Sequence, residues 1–250
     1  MSAPSGLRKY WLTASEHELK LALRDAHASV SAFARATEVH GSLIQDWIAG
    51  QAVVEFEHYP TNDIVDVRHG SQFYYHSHRD QGKEHGHLHL FYHATASGKR
   101  RYFRSGKPRW NRTEPTHLFA ISLDSRGLPV SLFTVNQWVT DGHWLDVPTT
   151  MACAERFLLK NVDGYEHSCR WLTSFVRLYR PLINDLLHRR DQRLLRRGDI
   201  SKALQDRRLE VLSHTQIDWI RDMQALENLV DQRSRASSGV GSDLIPLPAA

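Results

Sequence analysis

From about Val53 to Trp144 aromatic and β-branched residues alternate with polar ones, punctuated by Gly, Pro, Asn and Asp, and no helical period interrupts them. A strand block without crossover helices disfavours parallel architecture, because parallel neighbours need a dozen or more connecting residues, usually a helix. The alternation predicts strands near 63–68, 71–79, 85–94, 99–104, 116–124 and 128–139. The last two meet at Ser125-Arg126-Gly127 and form a hairpin. No GxGxxG or GxxxxGKS pattern is present, which argues against a doubly wound nucleotide-binding fold.

On both sides of this block the period becomes 3.6. Ser15 stands three residues before Glu18, a capping-box spacing, and Leu19, Leu23, Ala26, Val30, Phe33 and Ala34 follow along one helical stripe towards Ile48, with a break at Gly41. After Pro148 the spacing predicts helices over 149–160, 166–189, 199–212 and 214–233. Asp199 and Ser213 serve as N-caps, and Gly164 and Gly198 as stops. The expected fold is α+β. A mainly antiparallel sheet or open barrel (about 53–144) packs with an N-terminal helix and a C-terminal helical region, one domain over 1–233, followed by a flexible tail over 234–250.

Composition narrows the chemistry. Two cysteines in 250 residues exclude a disulfide framework and a four-cysteine metal site within one chain, and Cys153 and Cys169 read as small buried apolar groups. The N-terminus has no apolar segment of secretory length, and no apolar run approaches the ~18 residues of a membrane span. The expectation is a protein of a reducing, bacterial-type cytoplasm. Of 32 basic residues 25 are arginine, a residue suited to bidentate partners such as carboxylates and phosphates.

Histidine is the outlying residue. Eight of the 16 (His58, His69, His76, His78, His85, His87, His89 and His93) fall within 36 residues, where ordinary spacing would place about two. Alternate residues of a strand share a face. On 85–94 that puts His85, His87, His89 and His93 on one side with Phe91, leaving Gly86, Leu88, Leu90 and Tyr92 for the core. On the preceding strand Tyr74, His76 and His78 share a face. The connection 79–84 is of hairpin length, so two His-x-His pairs can meet across neighbouring strands. Imidazoles so placed suit Fe, Zn or Cu. The candidate ligands are His76, His78, His87, His89 and His117, the last opening a later strand and expected on the face of Phe119, Ile121 and Leu123. Glu84 is the candidate oxygen ligand or general base, and Arg79 the group that places a substrate carboxylate or phosphate. His58, His69 and His93 read as bystanders.

The order His76-x-His78, Glu84, then a later histidine resembles the first motif of the cupin metal-binding barrels over about fifteen residues, with Gly70 loosely matching a glycine before the pair. The five residues between His78 and Glu84 exceed that family's spacing, and its second motif has no counterpart around Pro108–His117. The resemblance implies a His-lined antiparallel barrel. The segment also resembles uncharacterised bacterial domains with an HxHR…EHGHxH core, a likeness that carries no activity.

Three functions are compatible with these residues. One is a metalloenzyme whose His-rich non-haem centre, walled by Tyr74, Phe91 and tryptophans, oxidises or hydrolyses a small organic substrate. A second is a non-catalytic metal- or haem-handling protein. The third is a basic nucleic-acid-binding regulator using Lys99–Arg112, where seven cations interleave with Tyr102, Phe103 and Trp110, together with the helix 186–197 and its five arginines.

Overall fold

The Ser15 hydroxyl accepts the Glu18 amide while the Glu18 carboxylate accepts the Ser15 amide, and this reciprocal cap starts a 25-residue helix. It is α2 (Glu16–His40) of a computed structural model that describes residues 6–78, 84–93, 115–160 and 162–239. A short helix α1 (Gly6–Thr13) precedes it, and α3 (Leu43–Ile48), capped by Ser42, follows the break at Gly41. Five strands come next: β1 (Tyr59–Asp66), β2 (Ser71–His76), β3 (Gly86–Tyr92), β4 (Thr116–Leu123) and β5 (Pro129–Val135). The C-terminal part adds α4 (Gln137–Thr140), α5 (Val147–Glu155), α6 (Glu166–Leu178), α7 (Arg180–Leu195), α8 (Ile200–Leu204), β6 (Val211–Gln216) and α9 (Trp219–Gly239).

All six strands pair antiparallel in the order β1-β2-β3-β4-β5-β6, so β1 and β6 are the edges of an open sheet and no barrel closes. The β4–β5 hairpin turns as the alternation predicts. The Asp124 carboxylate accepts the amides of Arg126 and Leu128, and Gly127 takes φ 79°, a conformation glycine adopts without Cβ strain.

Several boundaries depart from the sequence reading. The predicted helices 199–212 and 214–233 give way to α8, β6 and α9; Ser213, expected as an N-cap, lies within β6. Leu209, Leu212 and Ile217 mimic a helical stripe, but β6 satisfies the free edge of β5, and sheet pairing prevails. The predicted helix 166–189 is two helices divided at Tyr179, two residues before Pro181, and α9 continues through 234–239 where a tail was expected. The expected strand 99–104 lies outside the described residues. Asp199 caps α8 and Gly198 takes positive φ as the stop after α7, whereas Gly164, expected to stop a helix, takes positive φ in the turn that leads into α6, because α5 ends already at Glu155.

One face of the sheet is covered by helices. Phe73 and Tyr75 of β2, Leu88 and Leu90 of β3, Phe119 and Ile121 of β4, and Leu132 of β5 are fully buried in a core shared with Trp47 of α3 and Trp171 and Phe175 of α6. Trp47 meets Phe73 edge-on at 5.9 Å and stacks on Tyr75 at 5.7 Å. Each such large apolar side chain contributes about 1.5–3 kcal/mol by leaving water. The helical cover thus fixes which side of each strand is left for chemistry. Among the described residues no helix is long and apolar enough to cross a membrane.

Candidate metal centre

The register of β2 against β3 pairs His76 with His87, Tyr74 with His89 and Gln72 with Phe91. Directly opposed residues point to the same face, here the face away from Trp47. His76, His87 and His89 each offer a ring nitrogen to a group in which all such atoms lie within 4.8 Å of one another, and all three are buried. Their ring centroids stand 4.5, 4.9 and 5.1 Å apart. Among the described residues this is the one cluster of histidines, cysteines or carboxylates with spacing that could hold a metal ion.

Two of the three rings, His87 and His89, have a hydrogen-bond partner behind them. Glu84 Oε1 lies 2.6 Å from His87 Nδ1, so that nitrogen donates to the carboxylate and the His87 Nε2 lone pair faces inward. His76 Nε2 stands 2.7 Å from His87 Nε2, a distance that requires a proton between them. His89 Nδ1 and His117 Nε2 share a hydrogen bond of 3.0 Å. The His117 pKa is pushed down to about 3, chiefly by burial and further by Arg190 and His87, so its ring is neutral.

His117 reaches this face by a route that alternation alone does not give. It was expected on the side of Phe119, Ile121 and Leu123, yet those three belong to the helix-covered core. Between Leu90 and Phe91 the β3–β4 register shifts: Leu90 faces Phe119, but Phe91 faces His117. Leu118 is the extra residue of a β-bulge, which rotates His117 onto the histidine face.

The remaining candidates divide. The His78 ring lies 4.9 Å from His76 and 5.2 Å from His87, close to the spacing within the group, and stacks on Phe56 at 5.0 Å. Arg79 and the segment 99–112 lie outside the described residues. His85 leaves the expected face: its Nδ1 meets the Tyr75 hydroxyl at 2.6 Å. Gly86 permits this, since a Cβ there would stand 2.2 Å from the Tyr75 oxygen. His69 pairs with Asp66, and His93 with Gln72.

His58, expected as a bystander, and Phe133 border the centre. His58 stacks on Tyr74 at 3.6 Å and approaches His76 edge-on at 5.9 Å, while its Nδ1 pairs with Asp63 at 3.0 Å. Phe133 of β5 stands edge-on to His87 at 5.2 Å. Its face could have been found from the β4–β5 hairpin register; that of His58, in an irregular segment, could not. Tyr74 and Phe91 wall the site as expected. The tryptophans do not. Trp47 and Trp171 lie in the helix-covered core, Trp144 packs with a separate cluster around Leu194, and Trp138 bonds the Leu209 carbonyl.

The family described as a domain of unknown function, DUF6969, matches residues 23–217, which run from α2 through β6 and include every histidine of the centre. No curated protein and no solved structure matches the chain. With the match spanning more than three quarters of its length, the chain belongs to the DUF6969 family.

Proposed function

We propose that the protein binds a divalent transition metal (Fe, Zn or Cu) through His76, His87 and His89, and that this centre acts on a small organic substrate by oxidation or hydrolysis. The observation carrying the reading is the convergence of three buried imidazoles within 4.8 Å. Neutral nitrogen donors suit these metals and not magnesium or calcium. Three protein ligands leave coordination positions open, so a bound ion would supply Lewis acidity or redox capacity to a substrate.

The chain's own residues have distinct tasks in this proposal. Glu84 holds the His87 tautomer with Nε2 inward, a positioning role exerted through the ring. His117 does the same for His89, whose Nδ1 it engages. His78, stacked on Phe56 with its ring 4.9 Å from that of His76, adds a fourth nitrogen where the ion is five- or six-coordinate, which still leaves a position open. Tyr74, Phe91 and Phe133 keep water from the rings, and Arg79 anchors an anionic substrate. The burial of the three ligands favours a second reading, retention of metal without turnover.

Elemental analysis of protein purified without added metal tests the site. About one transition-metal ion per chain is expected, lost in the His87→Ala, His89→Ala variant. Stoichiometric metal in that variant removes the assignment. A melting curve unmoved by chelation argues equally against it.

A further inference from the structure

The arginine surplus has a structural address away from the histidines. On α7 and the turn that ends it, Arg189, Arg193, Arg196 and Arg197 recur at i, i+4, i+7 and i+8, which places them along one side of the helix. At 1.5 Å per residue the row runs about 12 Å. With Ser213 and His214 of the edge strand β6 they line a groove of about 620 Å³ that contains no carboxylate.

The neighbouring acids are already engaged. Asp185 pairs with Arg189, Asp191 with Arg190, Asp199 with Lys202, and Asp206 with Arg208, which leaves Arg193, Arg196 and Arg197 without an ion pair among the described residues. Asp206 feels Arg197 only as a secondary field after the two bonds from Arg208. The carbonyl end of α7 contributes about half a negative charge, which three unpaired guanidiniums outweigh. Charge at a helix C-terminus needs one or two cations; this row has more than that task requires.

We propose that this groove binds the phosphodiester backbone of a single-stranded nucleic acid, independently of the metal centre. Guanidinium groups grip phosphate oxygens in pairs and stack on bases, so a lining with four arginines and no carboxylate suits such a strand. An acidic polypeptide would dock most readily by adding to the β6 edge. Arg189 obstructs that mode, because Nη1 donates to the His214 carbonyl at 2.9 Å and Nη2 bonds the Thr215 hydroxyl.

The test is fluorescence anisotropy of the full chain with a labelled single-stranded oligonucleotide of about 20 residues, at several salt concentrations between about 50 and 200 mM. The Arg193→Gln, Arg196→Gln, Arg197→Gln variant is expected to bind at least about tenfold more weakly, with the slope of log K against log salt reduced by about 2. These side chains are exposed, and an unchanged melting curve verifies the fold. A control variant removes three exposed arginines elsewhere, Arg35→Gln, Arg126→Gln and Arg221→Gln, and is expected to keep most of the affinity. Three results overturn the proposal: no binding by the natural sequence at low salt, equal losses in the two variants, or displacement of the oligonucleotide by polyglutamate at equal charge concentration.

Discussion

His76 and His87 sit opposite each other on β2 and β3 with their Nε2 atoms 2.7 Å apart. Two bare lone pairs repel at that distance and two N–H groups clash, so the pair holds one proton between the rings. Glu84 decides which ring accepts. By accepting a hydrogen bond from His87 Nδ1–H it keeps the proton on that nitrogen and leaves Nε2 as acceptor, and His76 Nε2–H donates.

A metal ion would replace that proton. Two imidazole nitrogens bound tetrahedrally to one zinc stand about 3.3 Å apart, so the rings must part slightly from their present contact. The displaced proton moves to Nδ1 of a neutral ring, whereas a cationic ring gives its proton to solvent, so affinity rises with pH as the rings lose positive charge. Calorimetric titration with zinc in two buffers of different ionisation heat, below the ordinary histidine pKa of about 6.5, measures the release; identical apparent enthalpies would contradict it. At a free-metal concentration about 100 times Kd, the native state gains about 2.7 kcal/mol, visible as a rise in Tm.

Glu84→Gln keeps the size of the side chain while removing the charge that fixes the His87 tautomer. Loss of such a partner costs about 10–100-fold in metal affinity. The fold should tolerate the change, so competition with a chromophoric chelator is the measurement, read beside an unchanged circular-dichroism spectrum. Affinity equal to that of the natural sequence would deny Glu84 its positioning role.

The contribution of His78 separates from that of the triad. His78→Ala is expected to leave about one ion per chain but to weaken its retention, because three imidazoles suffice for the site. Cobalt substitution gives the readout: absorption bands that differ between the natural sequence and His78→Ala mark a fourth nitrogen, whereas superimposable spectra exclude His78 from the coordination sphere.

How far these residues could be foreseen depends on which forces place them. The face shared by His76, His87 and His89 follows from strand period alone, because Leu88 and Leu90 must face the core and the histidines then face the other way. The α+β class follows from the switch of period along the chain. His117 could not be placed by that rule, since a single bulge residue, Leu118, reverses its side without leaving a periodic trace. His85 escaped for a similar reason: it lies just before the strand and turns back to the Tyr75 hydroxyl over Gly86. The β6 segment has the spacing of a helix because Val211–Gln216 is short and its identity is set by the distant β5 edge.

Gly86 gives a stability prediction. Gly86→Ala would drive a methyl group into the Tyr75 ring, with the hydroxyl oxygen at 2.2 Å and the Cζ atom at 2.5 Å. Overpacking of this kind costs about 1–3 kcal/mol. Tyr75→Phe removes the nearest atom but not the ring, so the double variant should recover part of the loss. Urea unfolding of the four proteins measures the coupling, and strict additivity would show that Gly86 and Tyr75 do not press on each other.

Asp46 predicts a pH dependence remote from the histidine centre. It lies in α3 beside Trp47, and burial raises its carboxyl pKa, although Ser168, His40 and His167 act in the opposite direction and Glu166 adds to the rise. An acid whose folded pKa exceeds its unfolded value, about 3.9 for aspartate, favours the folded state fully only below that unfolded value. The benefit is lost as pH rises through the folded pKa, because the buried carboxylate must then be charged. Asp46→Asn removes this titration at nearly constant shape. The Tm of the variant relative to the natural sequence should therefore rise as pH goes from about 4 to 7, and a difference that stays flat or shrinks over that range would show that His40, 3.3 Å away, fully offsets the burial of Asp46.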